Sequence, residues 1–239
     1  MSRALVILAA GMGRRLGGAA KVIHPVKGYG IPMEKTVAMF SPLVDEIIVV
    51  VGFEHEKVIK AAHEAVLSRR HHMTICYNME YATTNTAYSL DAALAGMHSD
   101  ETIVVNGDLV FYARPDLEKL VAGGSAALVH PRHVLDEDVK AVVSSAEDGG
   151  RITQLGKVLP LGAVVLGEAV GVYFLSKSMA SKYKAKFNVP SHMMAYHEDV
   201  INELLSTETM VAQADGWCVK EFDSPSDLKA IELKLSEEA

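Results

Sequence analysis

Four short apolar runs, separated by stretches of helical periodicity, constrain the fold of this chain most. They are Ala4–Leu8 (ALVIL), Glu46–Val51 (EIIVVV), Met73–Tyr77 (MTICY) and Thr102–Asn106 (TIVVN). Runs of this length that stop at turn residues read as strands. Between them, Glu54–Leu67 sets Val58, Ile59, Ala62 and Val66 on one helical face. Ala87–Met97 aligns Leu90, Ala93, Leu94 and Met97 in the same way, and Val37–Phe40 ends a helix that Ser41-Pro42 stops. Strand, helix, strand, helix at this rhythm predicts an α/β fold with a Rossmann-like, mostly parallel sheet flanked by helices. The strands are apolar throughout, as burial on both faces requires. Sheets of this kind bind ligands beyond the carboxyl ends of their strands. Two loops fall there: Ala9–Lys21 after the first strand and Gly107-Asp108 after the fourth.

The second half changes character. Ala126–Val129, Val139–Ser144, Ile152–Leu155 and Ala169–Phe174 are short strand-like pieces, with a turn at Glu147-Asp148-Gly149-Gly150. They predict mixed strands added to the sheet. Helices are expected at Lys177–Lys186, Glu198–Leu205 and Pro225–Leu235, the last with Ser224 as N-cap, Pro225 at N1 and Asp227 at N3. With no internal repeat or linker, one domain over 1–239 is expected. Its nucleotide-binding half would be 1–125, and 126–239 would carry acceptor binding and the C-terminal helix.

The loop after the first strand begins LAAGMGRRL, residues 8–16. Glycines let a backbone approach a phosphate closely, and turn N–H groups bind anions. The redox dinucleotide fingerprint needs a third glycine three residues after the second. Leu16 stands there, and more glycine and Pro25 follow instead of a helix. The Walker spacing is absent too. A plain glycine turn with two solvated arginines remains open on the loop alone. Arg15 and Lys21 are the cations a triphosphate would need.

Leu8-Ala9-Ala10-Gly11-Met12-Gly13-Arg14-Arg15, followed by Lys21-Val22-Ile23-His24-Pro25-Val26-Lys27-Gly28, resembles the signature of the sugar-nucleotide-type nucleotidyltransferases. The resemblance implies that this loop, including Leu8, Ala9, Ala10, Gly11 and Gly13, wraps the nucleotide. It implies that Arg15 steadies the leaving pyrophosphate and that Lys21 contacts the reacting phosphates. The stretch between Arg15 and Lys21 is shorter here, and Ala20 stands where the family has proline.

Nucleotidyl transfer builds charge on phosphate oxygens, so positioning and a divalent cation carry most of its catalysis. Mg²⁺ takes one or two carboxylates plus phosphate oxygens. Asp108, in VVNGD behind a buried strand, is the leading candidate, and the alternative is a mere Asn-Gly-Asp turn. The resemblance makes Asp108 a metal ligand. It makes Asp223, in KEFDSPSDL, the second ligand, whereas its position alone also suits a residue near a helix N-terminus.

Three further stretches resemble the phosphocholine and 2-aminoethylphosphonate cytidylyltransferase branch: Tyr77–Leu90, Glu137–Val142 with Ile152–Lys157, and Tyr196–Leu205. The implied reaction joins CTP to a small phospho- or phosphonomonoester, with pyrophosphate released. Asn85, Thr86 and Ser89 offer amide and hydroxyl groups suited to a base or ribose, or simply cap a helix. Tyr196, Glu198 and Asp199 would face a cationic amine, or the two acids belong to a helix's first turn. Lys157 would hold the acceptor's phosphate, unless it is an ordinary surface lysine. His197, Met193, Met194 and Trp217 read as structural.

A formal net charge of −7 argues against a nucleic-acid surface. Two distant cysteines, no signal-type N-terminus and no membrane-length apolar run predict a cytoplasmic protein without membrane insertion. A homodimer is left open. Two rival functions remain. One is transfer from UTP or GTP to a sugar 1-phosphate on the same fold, and the other is a nucleotide sensor without catalysis.

Overall fold

The computed structural model describes residues 1–67, 69, 71–132, 134–145, 150–186 and 190–237. The first half runs β1 (Arg3–Ala9), α1 (Pro32–Phe40), β2 (Glu46–Val51), α2 (His55–Val66), β3 (His72–Tyr77), α3 (Thr86–Gly96) and β4 (Glu101–Asn106). Then come β5 (Leu109–Phe111), α4 (Leu117–Leu120), β6 (Ser125–His130), β7 (Lys140–Val143), β8 (Ile152–Gly156) and β9 (Val164–Leu175). The chain closes with α5 (Lys177–Lys186), α6 (His197–Leu204), β10 (Met210–Gln213), β11 (Val219–Glu221) and α7 (Pro225–Glu237).

The main sheet orders its strands β10-β6-β9-β4-β1-β2-β3, with β7 and β8 continuing from β9. β4, β1, β2 and β3 pair in parallel, as does β10 with β6. β9 is the antiparallel partner of β4, β6 and β7. The α/β class, with mixed strands in the second half, is therefore the one the sequence predicts.

The alternation of a strand explains the two cores. From β1, Leu5, Ile7 and Ala9 join Met33, Val37 and Phe40 of α1 and Val58 and Ala62 of α2 on one face. Ala4, Val6 and Leu8 turn to the other face, against Leu90 and Leu94 of α3, Tyr183 of α5 and Val200, Ile201 and Leu204 of α6. Burying each large apolar side chain contributes about 1.5–3 kcal/mol, so β1 and its neighbours form a rigid platform. No described helix is long and apolar enough to cross a membrane.

Helix boundaries follow local chemistry. Pro32 opens α1. Asn85 caps α3, its Oδ1 accepting from Thr86 N at 2.8 Å. At α7, Ser224 N donates to Asp227 Oδ2 at 2.9 Å and Asp227 N to Ser224 Oγ at 3.3 Å, a reciprocal cap.

Three expectations need correction or lapse. Trp217 is 54% exposed and donates through Nε1 to Asp215, so it is not core. Met193 and Met194 are exposed as well. The turn at Glu147-Asp148-Gly149-Gly150 lies, apart from Gly150, outside the described residues.

The element that positions the site is a small antiparallel ribbon of β5 and β11, outside the main sheet. Its register sets Glu221 opposite Leu109 and Lys220 opposite Val110. Phe222 N then donates to Asp108 O at 3.1 Å. A chain segment more than a hundred residues downstream is thereby pinned beside the end of β4. Phe222, fully buried with Val26, Val110 and Ile231, anchors the junction.

Candidate active site

The loop after β1 and the turn after β4 both leave the sheet at its carboxyl edge. Gly13 adopts φ +54°, and a Cβ there would lie 2.1 Å from Ala19 O. Only glycine lets the loop fold back on itself at this point. Gly107 N donates to Leu8 O at 3.0 Å, and a Cβ on Gly107 would come within 2.6 Å of that oxygen. The two loops therefore touch through backbone, and Asp108 is delivered beside the glycine loop.

Four charged residues predicted from widely spaced positions meet here. Lys21 Nζ donates to Asp108 Oδ2 at 2.9 Å and also to Asp223 Oδ1. Arg15 donates to the other oxygen of Asp223. Burial draws the Lys21 ammonium down, but Asp108 and Asp223 beside it reverse this and hold it above its usual range. Lys21 is thus a fixed cation, with its side chain 15% exposed, whereas the Arg15 side chain is 67% exposed at the cleft mouth.

Sequence reasoning missed one member. Glu221 joins Asp108 and Asp223, and one carboxylate oxygen of each lies within 4.8 Å of the others. Repulsion from Asp108, then burial, then Asp223 push the Glu221 carboxyl up to about 9, against the pull of Lys21. The signal was the E-x-D spacing. In extended chain, residues two apart share a side, so Glu221 and Asp223 face Asp108 while Phe222 points to the core. Asp108 Oδ1 is buried without a hydrogen-bond partner. Clustered carboxylates, one with an orphaned oxygen, fit a hard divalent cation, and Asp108, Glu221 and Asp223 are the residues that would hold it.

Two connected cavities flank this cluster. The first, about 500 Å³, is lined by Leu8, Ala9, Gly11, Gly13, Arg15 and Lys21 together with Asn85 and Asp108. The second, about 370 Å³, shares Leu8, Gly11, Arg15 and Asp108 and adds Lys157, and Ala10, Thr86 and Ser89, expected at the nucleotide, line this cavity and not the first. Ser89 is buried and accepts from Asn78 Nδ2 at 3.0 Å. Thr86 Oγ1 accepts from His197 N at 3.0 Å, tying α3 to α6.

The second cavity's far wall comes from the segment just before β7, Lys157 just after β8, β9, the start of α6 and β11. Glu198 is buried and accepts from the Tyr173 hydroxyl at 2.8 Å. Tyr196 lines both cavities, with Lys157 Nζ 5.6 Å from its ring centre. Arg132 binds Glu168 and Asp138 on this side, at 2.7 and 2.9 Å. Asp199 is not brought into the cavity. It is exposed and accepts from Tyr196 N at 2.8 Å, stabilising the start of α6.

Comparison with known proteins agrees with this architecture. The chain belongs to the family of MobA-like NTP transferase domains, whose model matches residues 5–213. A curated relative from Archaeoglobus fulgidus, named a bifunctional IPC transferase and DIPP synthase, is 32% identical over 155 residues. That match spans 64% of this chain and 29% of the relative. Among solved structures, the inositol-1-phosphate CTP transferase from T. maritima superposes with a TM-score of 0.76 at 19% identity, covering 99% of this chain and 96% of that one. A putative glucose-1-phosphate thymidylyltransferase from Bacillus anthracis gives 0.78 at 17% identity, with 98% and 95% covered. At these identities the structural likeness establishes the fold.

Proposed function

We propose that this chain transfers CMP from CTP to the phosphate or phosphonate oxygen of a small monoester, releasing pyrophosphate. The observation that carries the reading is the Lys21 ammonium held between Asp108 and Asp223, with Glu221 beside them, where two cavities meet. One cavity suits a nucleoside triphosphate and the other suits a smaller anion with a polar head group. The T. maritima neighbour's name supports CTP as the donor, as does the cytidylyltransferase-like sequence around Tyr77–Leu90.

The chemistry needs no covalent intermediate on the protein. An oxygen of the acceptor's anion forms a bond to the α-phosphorus, and the bond from that phosphorus to the bridging oxygen breaks. Pyrophosphate leaves with the electron pair, and no proton moves. Lys21 is placed to offset charge on the reacting phosphate, and Arg15 at the cleft mouth to receive the departing pyrophosphate. A magnesium ion on the three carboxylates would act as a Lewis acid toward the phosphate oxygens. Before substrate arrives, Asp223 occupies both cations. Productive binding must exchange that carboxylate for phosphate. Within one domain, the first half would hold the nucleotide and the second the acceptor through Lys157, Tyr196 and Glu198. A cytoplasmic location matches an enzyme using free nucleotide.

The test is a panel of four Mg-NTPs against phosphocholine, 2-aminoethylphosphonate, inositol 1-phosphate and sugar 1-phosphates, read as pyrophosphate release. CTP with a non-sugar or polyol monoester should be turned over fastest. Preference for UTP, GTP or dTTP with an aldose 1-phosphate, in line with the B. anthracis neighbour's name, would replace the cytidylyl reading. Tight Mg-CTP binding without pyrophosphate release for any acceptor would favour a sensor.

A further inference from the structure

His197 is the least explained polar residue of the second cavity. It opens α6, is 1% exposed, and lines that cavity beside Glu198. Its ring packs edge-on against Tyr173, with centres 4.9 Å apart and planes at 82°. Its Nε2 lies 3.3 Å from Glu198 Oε1, which also receives the Tyr173 hydroxyl, and neither ring nitrogen has a hydrogen-bond partner. Buried polar atoms are nearly always paired, so two orphans on one residue that lines a cavity point to a ligand.

Burial pushes the imidazole below its usual pKa, and Glu198 and Asp199 only partly oppose this. At neutral pH the ring therefore offers one donor and one acceptor. A quaternary ammonium can satisfy neither and favours aromatic walls. Among the described residues, Tyr81 and Tyr196 are the cavity's only such rings besides His197 itself. A primary ammonium donates but cannot accept, so it can serve only the unprotonated ring nitrogen. A hydroxyl can serve either one, and a polyol carries enough hydroxyls for both.

Resting on the nucleotidyl-transfer reading, we propose that His197 determines acceptor specificity by hydrogen-bonding a hydroxyl of the head group, so that the acceptor is a polyol phosphate. Glu198, held by Tyr173, accepts from the same or a neighbouring hydroxyl, while Lys157 serves the acceptor's phosphate. Tyr173 fixes Glu198 from behind and so acts as a positioning residue.

The test compares wild type with H197F and H197Q. Phenylalanine keeps a ring against Tyr173 and removes both nitrogens. Glutamine keeps a donor and an acceptor. Initial rates are measured with Mg-CTP and each of myo-inositol 1-phosphate, 2-aminoethylphosphonate and phosphocholine, with thermal melts to confirm folding. Wild type should prefer inositol 1-phosphate. H197F should raise its KM by about tenfold or more, with CTP KM unchanged, and H197Q should recover much of the loss. An unchanged KM in folded H197F would show that the ring only packs. Equal loss for all three acceptors, or preference for either amine by wild type, would also overturn the proposal. If no acceptor is turned over, the transfer reading fails by itself. The imidazole nitrogen resonances of wild type, titrated with inositol 1-phosphate in the presence of Mg-CTP, still decide this one. A shift of both nitrogens supports it, and unmoved resonances end it.

Discussion

The two cavities meet at one carboxylate cluster but are built on opposite principles. On the nucleotide side the charges pair with each other: Arg15 with Asp223, and Lys21 with Asp108 and Asp223. On the acceptor side Glu198 accepts from the Tyr173 hydroxyl, and the ring nitrogens of His197 are buried without hydrogen-bond partners. The first side is a set of ion pairs that a polyphosphate must pull apart. The second is a hydrogen-bonding wall already in place. On the proposed reading, charge serves capture of the nucleotide, and fixed hydrogen-bond geometry serves choice of the acceptor.

The difference breaks most sharply at Asp108, a carboxylate that lines both cavities. Asp108→Asn keeps the size of the side chain and removes a negative charge from the cluster. We expect kcat to fall about a thousandfold or more, while the far wall is left intact. Turnover near that of wild type would remove Asp108 from the chemistry.

Lys157→Ala tests the separation from the other side. Loss of a charge-assisted contact to the acceptor's phosphate should raise the acceptor KM about 10- to 100-fold. The CTP KM should stay as it is. A parallel rise in the CTP KM would mean that the cavities do not divide the two substrates as described.

The smallest effect concerns stability. His197 has a folded pKa below its unfolded value near 6.5 because it is buried, with Glu198, Asp199 and Tyr173 around it. Above pH 6.5 both states are neutral and the residue adds no pH dependence. As pH falls below 6.5 the unfolded chain takes up the proton first, so stability is lost toward the lower folded value. Thermal melts from pH 7.5 to 5 should show a steeper decline for wild type than for H197F. Equal slopes would mean that the ring is not held neutral.

The same contrast decides what could be read from the sequence. β1, β2, β3 and β4 announced themselves because burial on both faces leaves unbroken apolar runs. The glycine loop was legible because its glycines, Arg15 and Lys21 all follow one strand end directly in the sequence. The ribbon was not, since Leu109–Phe111 and Val219–Glu221 are three residues each, too short to show a period. Glu221 was lost with it. β9 was half seen. Gly167 and Glu168 interrupt its apolar run, and its pairings with β6 and β7 shift register. His197 read as structural because only the fold shows its ring at a cavity wall. Asp199, its near neighbour, turned instead to cap α6.

The most direct measurement follows one reaction by phosphorus NMR, with Mg-CTP, inositol 1-phosphate and either wild type or D108N. Nucleotidyl transfer at this cluster predicts pyrophosphate and a CDP-linked diester growing together, one for one, with wild type and neither with D108N. Pyrophosphate with free CMP and no diester, or equal product from D108N, would contradict it.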